Sequence, residues 1–171
     1  MTYRAYSMAV LLSVAVAAAA AQAKAPKRVG WVEEIAIADV GTVVKAKLDT
    51  GAKTSSIDAE IIDIRKTGEK TSKKTGETVV FSVSLEKGGS KTFEREIRRY
   101  VRIKKKGGGF IRRPVIEMRF CIAGRMVEEE VNLANREGFV YPVLVGRNMM
   151  AHAQLMVDSG AKQLSKPTCT E

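Results

Sequence analysis

One aspartate in this sequence has a neighbourhood suited to chemistry. Asp49 follows the segment Val43–Leu48, which alternates apolar and polar residues, and it precedes Thr50 and Gly51. A carboxylate held rigidly beside a second carboxylate shares one proton with it, because two like charges so close together cannot both ionise. The ionised member then takes a proton from an attacking water, and the protonated member polarises a carbonyl group. The pattern predicts hydrolysis by a carboxylate-activated water.

The residues after Asp49 suit a tightly built loop. Thr50 offers a hydroxyl that can tie the loop to a partner loop, and Gly51 permits close backbone approach and unusual dihedral angles. An isolated Asp-Thr-Gly is a weak signal, since it occurs by chance in roughly a few per cent of chains of this length. The surrounding sequence therefore has to carry the assignment.

The elements that must position Asp49 are short strands separated by turns. Ala123-Gly124 joins two of them like the tip of a hairpin, and Asn148–Gln154 is the one segment typical of a helix. This spacing predicts a mostly β domain, closed or sandwiched, with about one helix near the C-terminus. The strand-like segments are Val43–Leu48, Ile57–Ile64, Thr78–Leu85, Thr92–Ile103, Pro114–Ile122, Arg125–Leu133 and Val143–Val145.

Two later blocks complete a pattern that begins at Leu48–Ala52. The first is a glycine-rich tip, made of Gly107, Gly108, Gly109 and Phe110. The second is an apolar-apolar-Gly-Arg-Asn run, with Gly146, Arg147 and Asn148. In this order the blocks resemble the retropepsin-like aspartic peptidases. A bacterial branch often labelled ATP-dependent zinc proteases is more similar still, on the runs Gly30–Glu34, Lys47–Ile57, Arg113–Val115 and Tyr141–Asn148.

The resemblance implies a closed retropepsin-like β-barrel with one short C-terminal helix. It implies an aspartic endopeptidase in which Asp49 is catalytic, Thr50, Gly51 and Ala52 shape its loop, and the Gly146–Asn148 turn supports that loop. The tip at 107–110 would be the flap that closes over substrate. One Asp-Thr-Gly supplies half of a carboxylate pair, so we expect a symmetric homodimer that places two Asp49 loops face to face.

The label "ATP-dependent zinc protease" implies a zinc site and an ATP site, and the sequence has a motif for neither. It contains no Gly-x-x-x-x-Gly-Lys-Ser/Thr loop for phosphates and no His-Glu-x-x-His for zinc. A catalytic zinc usually takes three protein ligands with histidine prominent, and the chain has one histidine, His152, which we expect to pack or to lie on the surface. We expect no metal site and no cofactor.

A second carboxylate could come from the same chain. The segment around Asp158 reads Leu-Met-Val-Asp-Ser-Gly-Ala-Lys and echoes the segment around Asp49. Two-lobed aspartic peptidases, however, separate their aspartates by a whole lobe, whereas Asp158 follows the Arg147-Asn148 block by only about ten residues. We therefore expect an ordinary aspartate at 158 and keep the intramolecular pair as the alternative.

The N-terminus has the architecture of a secretory signal. Arg4 precedes an alanine-rich apolar run from Met8 to Ala20 and a small-x-small site that ends at Ala23. The alternative is a retained anchor, but this run is too short to cross a hydrocarbon core of about 30 Å comfortably. We predict a signal peptide at 1–23 cleaved after Ala23, a linker at 24–28, the peptidase domain at 29–165 and a tail at 166–171. The mature chain would be periplasmic or secreted, without stable membrane insertion.

Two cysteines, Cys121 and Cys169, lie in the predicted mature chain. In an oxidising compartment an even pair can close a disulfide. The alternative is a buried Cys121 and a free Cys169 at a frayed end. The sequence does not separate the two.

The chain carries a formal net charge of +10, and eight bases fall between Ile97 and Arg113, around the glycine-rich tip. This concentration is consistent with an acidic peptide or protein substrate or with a solvated charged hairpin. No aromatic platform, zinc knuckle or recognition helix accompanies the charge, so we expect no nucleic acid partner. Glu33 and Glu34, near the first strand, are expected to be solvated.

Two other function classes remain open. A non-catalytic periplasmic module could use the basic tip to hold an anionic peptide or polymer. A metal-dependent hydrolase comes third. The leading hypothesis is an exported peptidase that hydrolyses peptide or isopeptide bonds.

Overall fold

The computed structural model describes residues 25–71, 75–85, 88–105 and 107–169, which form a mostly β structure with one short helix. The predicted signal peptide, 1–23, lies outside the described residues. In chain order the elements are β1 (Lys27–Gly30), β2 (Val32–Ile37), β3 (Thr42–Leu48), β4 (Ser55–Asp58), β5 (Glu60–Lys66), β6 (Glu77–Ser84), β7 (Ser90–Glu96), β8 (Arg99–Lys104), β9 (Phe110–Ile122), β10 (Arg125–Ala134), β11 (Val143–Val145), α1 (Arg147–His152) and β12 (Leu155–Asp158).

Seven strands form the main sheet, in the order β10-β4-β11-β3-β2-β9-β8, and β10 also pairs with β9. The short strand β11 lies between β3, to which it is parallel, and β4, to which it is antiparallel. Val145 at the end of β11 is the register partner of Leu48 at the end of β3. This pairing brings the loop that begins at Asp49 next to the turn that begins at Gly146.

The hairpin between β9 and β10 is confirmed at the predicted position. Its two-residue turn consists of Ala123 and Gly124, with φ angles of 53° and 74°. Two successive positive φ angles characterise the type I′ turn, whose twist matches that of the flanking strands. The turn sets a register that runs from Arg125 opposite Ile122 to Asn132 opposite Val115.

Two smaller sheets complete the fold. In the antiparallel sheet β5-β6-β7, Phe81 and Phe93 stack with ring centroids 5.6 Å apart and join the buried core, whereas every residue of β5 is exposed. In the second sheet β1 runs parallel to β12, with Gly30 opposite Asp158. Since β1 begins at Lys27, the ordered fold starts inside the segment predicted as a linker.

Glu33 is buried, so the prediction that it is solvated is wrong. Its side chain is 0% exposed. It accepts hydrogen bonds from the backbone N–H groups of Gly30, Leu164 and Ser165, at 2.5, 2.9 and 3.0 Å, and from the Ser165 hydroxyl at 2.7 Å. A buried charge is tolerated when it is fully hydrogen-bonded, and here the three donors from Leu164 and Ser165 tie the C-terminal segment to β2.

Lys166 and Cys169 also hold the C-terminal segment to the body of the protein. Cys169 forms a disulfide with Cys121 of β9, with the two Cα atoms 6.0 Å apart. Of the two alternatives that the sequence leaves open, the structure contains the bonded pair. Lys166 donates a hydrogen bond of 3.1 Å to the Glu34 carboxylate.

The one helix within the described ranges, α1, begins one residue earlier and ends two residues earlier than predicted. Met149 and Met150 are its buried side chains, and they pack in the same core as the main sheet. Among the described residues, no helix has the length and apolar character needed to cross a membrane.

Candidate active site

Asp49 opens a tight turn at the end of β3. Its backbone N–H donates to the Val145 carbonyl at 2.9 Å, which extends the β3–β11 ladder by one bond. The Ala52 N–H donates back to the Asp49 carbonyl at 3.1 Å, and the Gly51 N–H donates to Asp49 Oδ1 at 3.0 Å. Backbone groups thus fix both the main chain and one carboxylate oxygen of Asp49.

The other carboxylate oxygen of Asp49 faces a lysine. Lys47 Nζ lies 3.3 Å from Asp49 Oδ2, and the Asp49 side chain is 28% exposed. Partial burial raises the pKa of Asp49, but the Gly51 hydrogen bond and the hydrogen bond and charge of Lys47 outweigh it, so the pKa lies below its ordinary value. In a single chain Asp49 is therefore an ionised carboxylate that solvent can reach.

The Gly146–Asn148 turn contacts the Asp49 loop through backbone and side-chain bonds. The N–H groups of Arg147 and Asn148 donate to the carbonyls of Ala52 and Lys53, at 2.9 and 3.1 Å. Arg147 Nη1 also reaches two carbonyls of the loop, those of Thr50 and Gly51, at 2.7 and 3.0 Å. These four bonds connect the start of α1 directly to the loop.

Gly146 has no room for a side chain. A Cβ atom there would lie 2.6 Å from the Thr54 carbonyl carbon, and the Gly146 N–H donates to the Ser55 hydroxyl at 3.0 Å. The glycine is required by this close approach of two backbones, not by its dihedral angles. The sequence analysis predicts that Gly146, Arg147 and Asn148 support the Asp49 loop. In the structure all three residues lie beside that loop.

Thr50, at the tip of the loop, is exposed. Within the described part of the chain its hydroxyl makes no hydrogen bond. The group is therefore available to a neighbouring molecule.

The glycine-rich tip lies between β8 and β9. Gly108 and Gly109 have φ angles of 91° and 74°, which only glycine adopts readily, and Phe110 is 54% exposed. No hydrogen bond or ion pair joins the described residues of this tip to Asp49–Ala52. The structure thus shows the hairpin but does not bring the tip onto Asp49.

Asp158 repeats the local geometry of Asp49. Its Oδ1 accepts the Gly160 N–H at 2.8 Å, its carbonyl accepts the Ala161 N–H at 3.3 Å, and Arg28 pairs with its Oδ2, the Nε at 3.0 Å. The hydrogen bond from the Arg28 side chain lowers the pKa of Asp158, and the hydrogen bond from Gly160 and the charge of Arg28 add to this effect. Asp158 has its own cationic partner, and no described hydrogen bond links it to Asp49.

Trp31 lies between the two aspartate loops. Its carbonyl accepts the Leu48 N–H at 2.9 Å, and its N–H donates to the Ala161 carbonyl at 3.0 Å. Lys162 lies over the indole ring at 4.5 Å, and Tyr141 meets the ring edge-on at a centroid distance of 6.2 Å. The two loops are therefore neighbours, joined through the backbone of Trp31.

The sequence analysis missed Arg136, which is 7% exposed. Its Nε donates to the Tyr141 carbonyl at 3.1 Å and its Nη1 to the Ser56 hydroxyl at 3.0 Å, and its guanidinium lies 4.6 Å from the Phe139 ring centroid. Burial lowers the pKa of Arg136. Arg136 falls in a polar loop, so no periodicity marks it as buried.

Among the described residues, no group of three or more histidine, cysteine, aspartate or glutamate side chains is placed to hold a metal ion. His152 lies on the surface, with Nδ1 at 3.3 Å from Glu129 Oε2.

The mostly β fold and the supported Asp-Thr-Gly loop define a retropepsin-like class of protein. The family model described as "RimB-like: Retropepsin-like aspartic endopeptidase RimB" matches residues 28–168. The chain therefore belongs to the RimB-like family, which confirms the resemblance found in the sequence.

A solved structure gives the same fold. The crystal structure of Lpg0085, a protein of unknown function from Legionella pneumophila, is 28% identical in sequence, with a TM-score of 0.64. The match covers 82% of this chain and 98% of that one. No curated protein matches the chain.

Proposed function

We propose that this protein is an exported aspartic peptidase that hydrolyses peptide or isopeptide bonds with a water activated by a pair of Asp49 carboxylates, one from each chain of a homodimer. The observation that carries the proposal is the backbone-fixed Asp49 carboxylate, partly exposed at the end of β3, in a loop that Arg147 supports. Membership of an aspartic endopeptidase family supports it.

The geometry supports a two-chain site rather than an intramolecular one. Asp158 is engaged with Arg28, whereas the exposed Thr50 hydroxyl is free to bond to a second loop. When two Asp49 carboxylates approach each other, like-charge repulsion raises the pKa of one of them and opposes the effect of Lys47. The pair then holds one shared proton, as the mechanism requires.

The barrel and the compartment are part of the same proposal. The pairing circuit β10-β4-β11-β3-β2-β9, together with the β9–β10 pair, is the arrangement that a closed barrel needs. The disulfide between Cys121 and Cys169 fits an oxidising compartment such as the periplasm. We propose an acidic peptide or protein as the substrate class.

A binding module is the second candidate. The observation that favours it is the ion pair between Lys47 and Asp49, because a neutralised lone carboxylate does not activate water. Such a module would hold an anionic peptide without cleaving it.

The test is to incubate the purified protein with an acidic peptide library over acidic to neutral pH, with and without a chelator. Matched samples carry Asp49→Asn or Asp158→Asn. The proposal expects cleavage that Asp49→Asn abolishes and that neither Asp158→Asn nor the chelator affects. Cleavage that survives Asp49→Asn contradicts it, and tight binding without cleavage identifies a module. An N-terminus other than Lys24 in the periplasmic fraction would contradict the predicted processing.

A further inference from the structure

One face of the main sheet carries Asp49 and a row of polar side chains. Register pairs Lys47 with Leu144, Leu144 with Ser56, and Ser56 with Asn132, so these four side chains point to the same face on adjacent strands. Lys47 contacts the Asp49 carboxylate, which places Asp49 on that face as well. The alternate residues of these strands, such as Leu48, point to the hydrophobic core.

Two arginines stand at the far end of this row. Arg136 Nη1 bonds to Ser56 at 3.0 Å, and Arg113 Nη1 bonds to the Asn132 side-chain oxygen at 3.4 Å. Asn132 in turn donates to the Ser55 carbonyl at 2.6 Å, which fixes the orientation of its amide. The row therefore leads from Asp49 to a pair of anchored guanidinium groups.

In the described part of the chain, no ion pair neutralises the positive charge of Arg136 and Arg113. Neither Arg136 nor Arg113 lies within salt-bridge distance of a carboxylate among the described residues. Asp58 lies beside Arg136, and its Oδ1 accepts the backbone N–H of Arg136 at 2.6 Å. Burial lowers the pKa of both arginines, and for Arg136 the charge of Arg113 adds to this effect and that of Asp58 opposes it. Among the described residues, the Asp58 carboxylate bonds to the backbone of Arg136 and to neither guanidinium group.

We propose that Arg136 and Arg113 form a subsite that binds a carboxylate side chain of the peptide substrate. Each strand step is about 4.8 Å and each residue along a strand about 3.3 Å, so the subsite lies on the order of 12 Å from Asp49. An extended peptide spans that distance in about three or four residues. The inference rests on the proposed function and adds the position and the chemistry of one substrate side chain.

Burial makes this pair more selective than the other bases of the hairpin around the glycine-rich tip, to which Arg113 itself belongs. There Arg98 and Arg99 already pair with Glu117 and Glu130, at 3.3 and 2.5 Å. Exposed charges are screened and contribute little, whereas a desolvated guanidinium discriminates strongly between a carboxylate and its amide isostere.

A binding experiment tests the subsite without depending on cleavage. All proteins carry Asp49→Asn, and the probes are a fluorescein-labelled octapeptide of glutamate and its glutamine counterpart, compared by fluorescence anisotropy at physiological salt. We expect the glutamate probe to bind at least about 10-fold more tightly than the glutamine probe. Arg136→Gln and Arg113→Gln should each reduce that ratio about 10-fold.

Arg95→Gln is the matched control, because Arg95 also stacks on a phenylalanine, Phe93, and its loss removes the same charge. The control should change the ratio by less than about 2-fold. Arg113→Gln removes only one long hydrogen bond, so this variant should fold. It decides the result if Arg136→Gln does not fold. A ratio near one in the parent protein, or arginine variants that behave like Arg95→Gln, would overturn the subsite.

A second measurement places the subsite relative to the cut. With active protein and a neutral peptide in which a single glutamate is moved one position at a time, cleavage should be fastest with the glutamate about three or four residues from the scissile bond. Arg136→Gln should abolish that optimum. A position-independent rate contradicts the subsite, while absence of cleavage contradicts only the proposed function, since the binding result stands separately.

Discussion

The guanidinium of Arg147 donates a hydrogen bond of 2.7 Å to the carbonyl oxygen of Thr50, across a sequence separation of 97 residues. The same nitrogen bonds to the next carbonyl, that of Gly51, at 3.0 Å. Carbonyl oxygens held in this way cannot swing, so the N–H groups on the other side of the loop stay aimed at Asp49. The first turn of α1 thus acts as a brace for the carboxylate.

Arg147→Lys should therefore lower activity more than stability. A lysine retains the charge, but its side chain is one atom shorter and its ammonium group does not reproduce the fixed N–H directions of the guanidinium. We expect kcat/KM for peptide cleavage to fall about 10- to 100-fold, because small misplacements of a catalytic group are costly. Arg95→Lys, at a half-buried arginine of β7 in another sheet, is the control. An unchanged kcat/KM in Arg147→Lys would show that the brace is not needed.

Gly146→Ala should destabilise the fold. The added methyl group would meet the Thr54 backbone at 2.6 Å, and backbone cannot move aside as a flexible side chain can. We expect a loss of about 1–3 kcal/mol in the free energy of unfolding, measured by denaturant titration. Gly138→Ala is the control, since a Cβ at Gly138 meets nothing within 4 Å. Equal effects of the two substitutions would contradict the close approach.

Lys47→Met should raise the pKa of Asp49. The hydrogen bond and charge of Lys47 help to hold that pKa below its ordinary value, so their loss shifts it upward. The acid limb of the pH profile of kcat/KM should move to higher pH. Lys45→Met, two residues earlier on the same strand, should leave the limb in place.

The same substitution has a consequence for stability with a definite sign. A depressed folded-state pKa means that ionised Asp49 stabilises the fold above its unfolded-state pKa, and this contribution is lost as pH falls through the folded-state value. In Lys47→Met the contribution shrinks, and its loss occurs at higher pH. Urea titrations at several acidic pH values measure the change, and an acid transition identical to that of the parent would contradict it.

Glu33→Gln should be strongly destabilising. The glutamine amide would turn an N–H₂ group toward donors that now bond to a carboxylate, leaving buried groups unpaired. We expect a loss of about 2–4 kcal/mol by denaturant unfolding. Glu34→Gln, which breaks only the surface pair with Lys166, should cost less than about 1 kcal/mol. If Glu33→Gln did not change the free energy of unfolding, the four donors would have to find other partners.

The fold class was predictable because its signals are local. Alternating segments and turn residues predict strands and a hairpin, and the Ala123-Gly124 tip lies where the sequence places it. The resemblance also predicts that the Gly146–Asn148 turn supports the Asp49 loop. The contact between this turn and the Asp49 loop depends on the pairing of β11 with β3. Neither segment encodes that pairing alone.

The misses have a common physical cause. Glu33 is surrounded by donors from Ser165 and its neighbour, 131 or 132 residues away in sequence. Arg136 is buried by Ser56 and by its own loop. In both cases burial depends on contacts between distant segments, and a charged residue without local periodicity gives no sign of them.

The central claim is that two chains each supply one Asp49, and mixed dimers test it most directly. Wild-type protein is exchanged with increasing amounts of Asp49→Asn protein, and cleavage is measured per wild-type chain. The account predicts that this activity falls in proportion to the wild-type fraction, because a mixed dimer has only one carboxylate. When Asp158→Asn protein replaces Asp49→Asn protein in the mixture, the activity per wild-type chain should not change. An activity per wild-type chain that does not respond to Asp49→Asn would contradict the two-chain site.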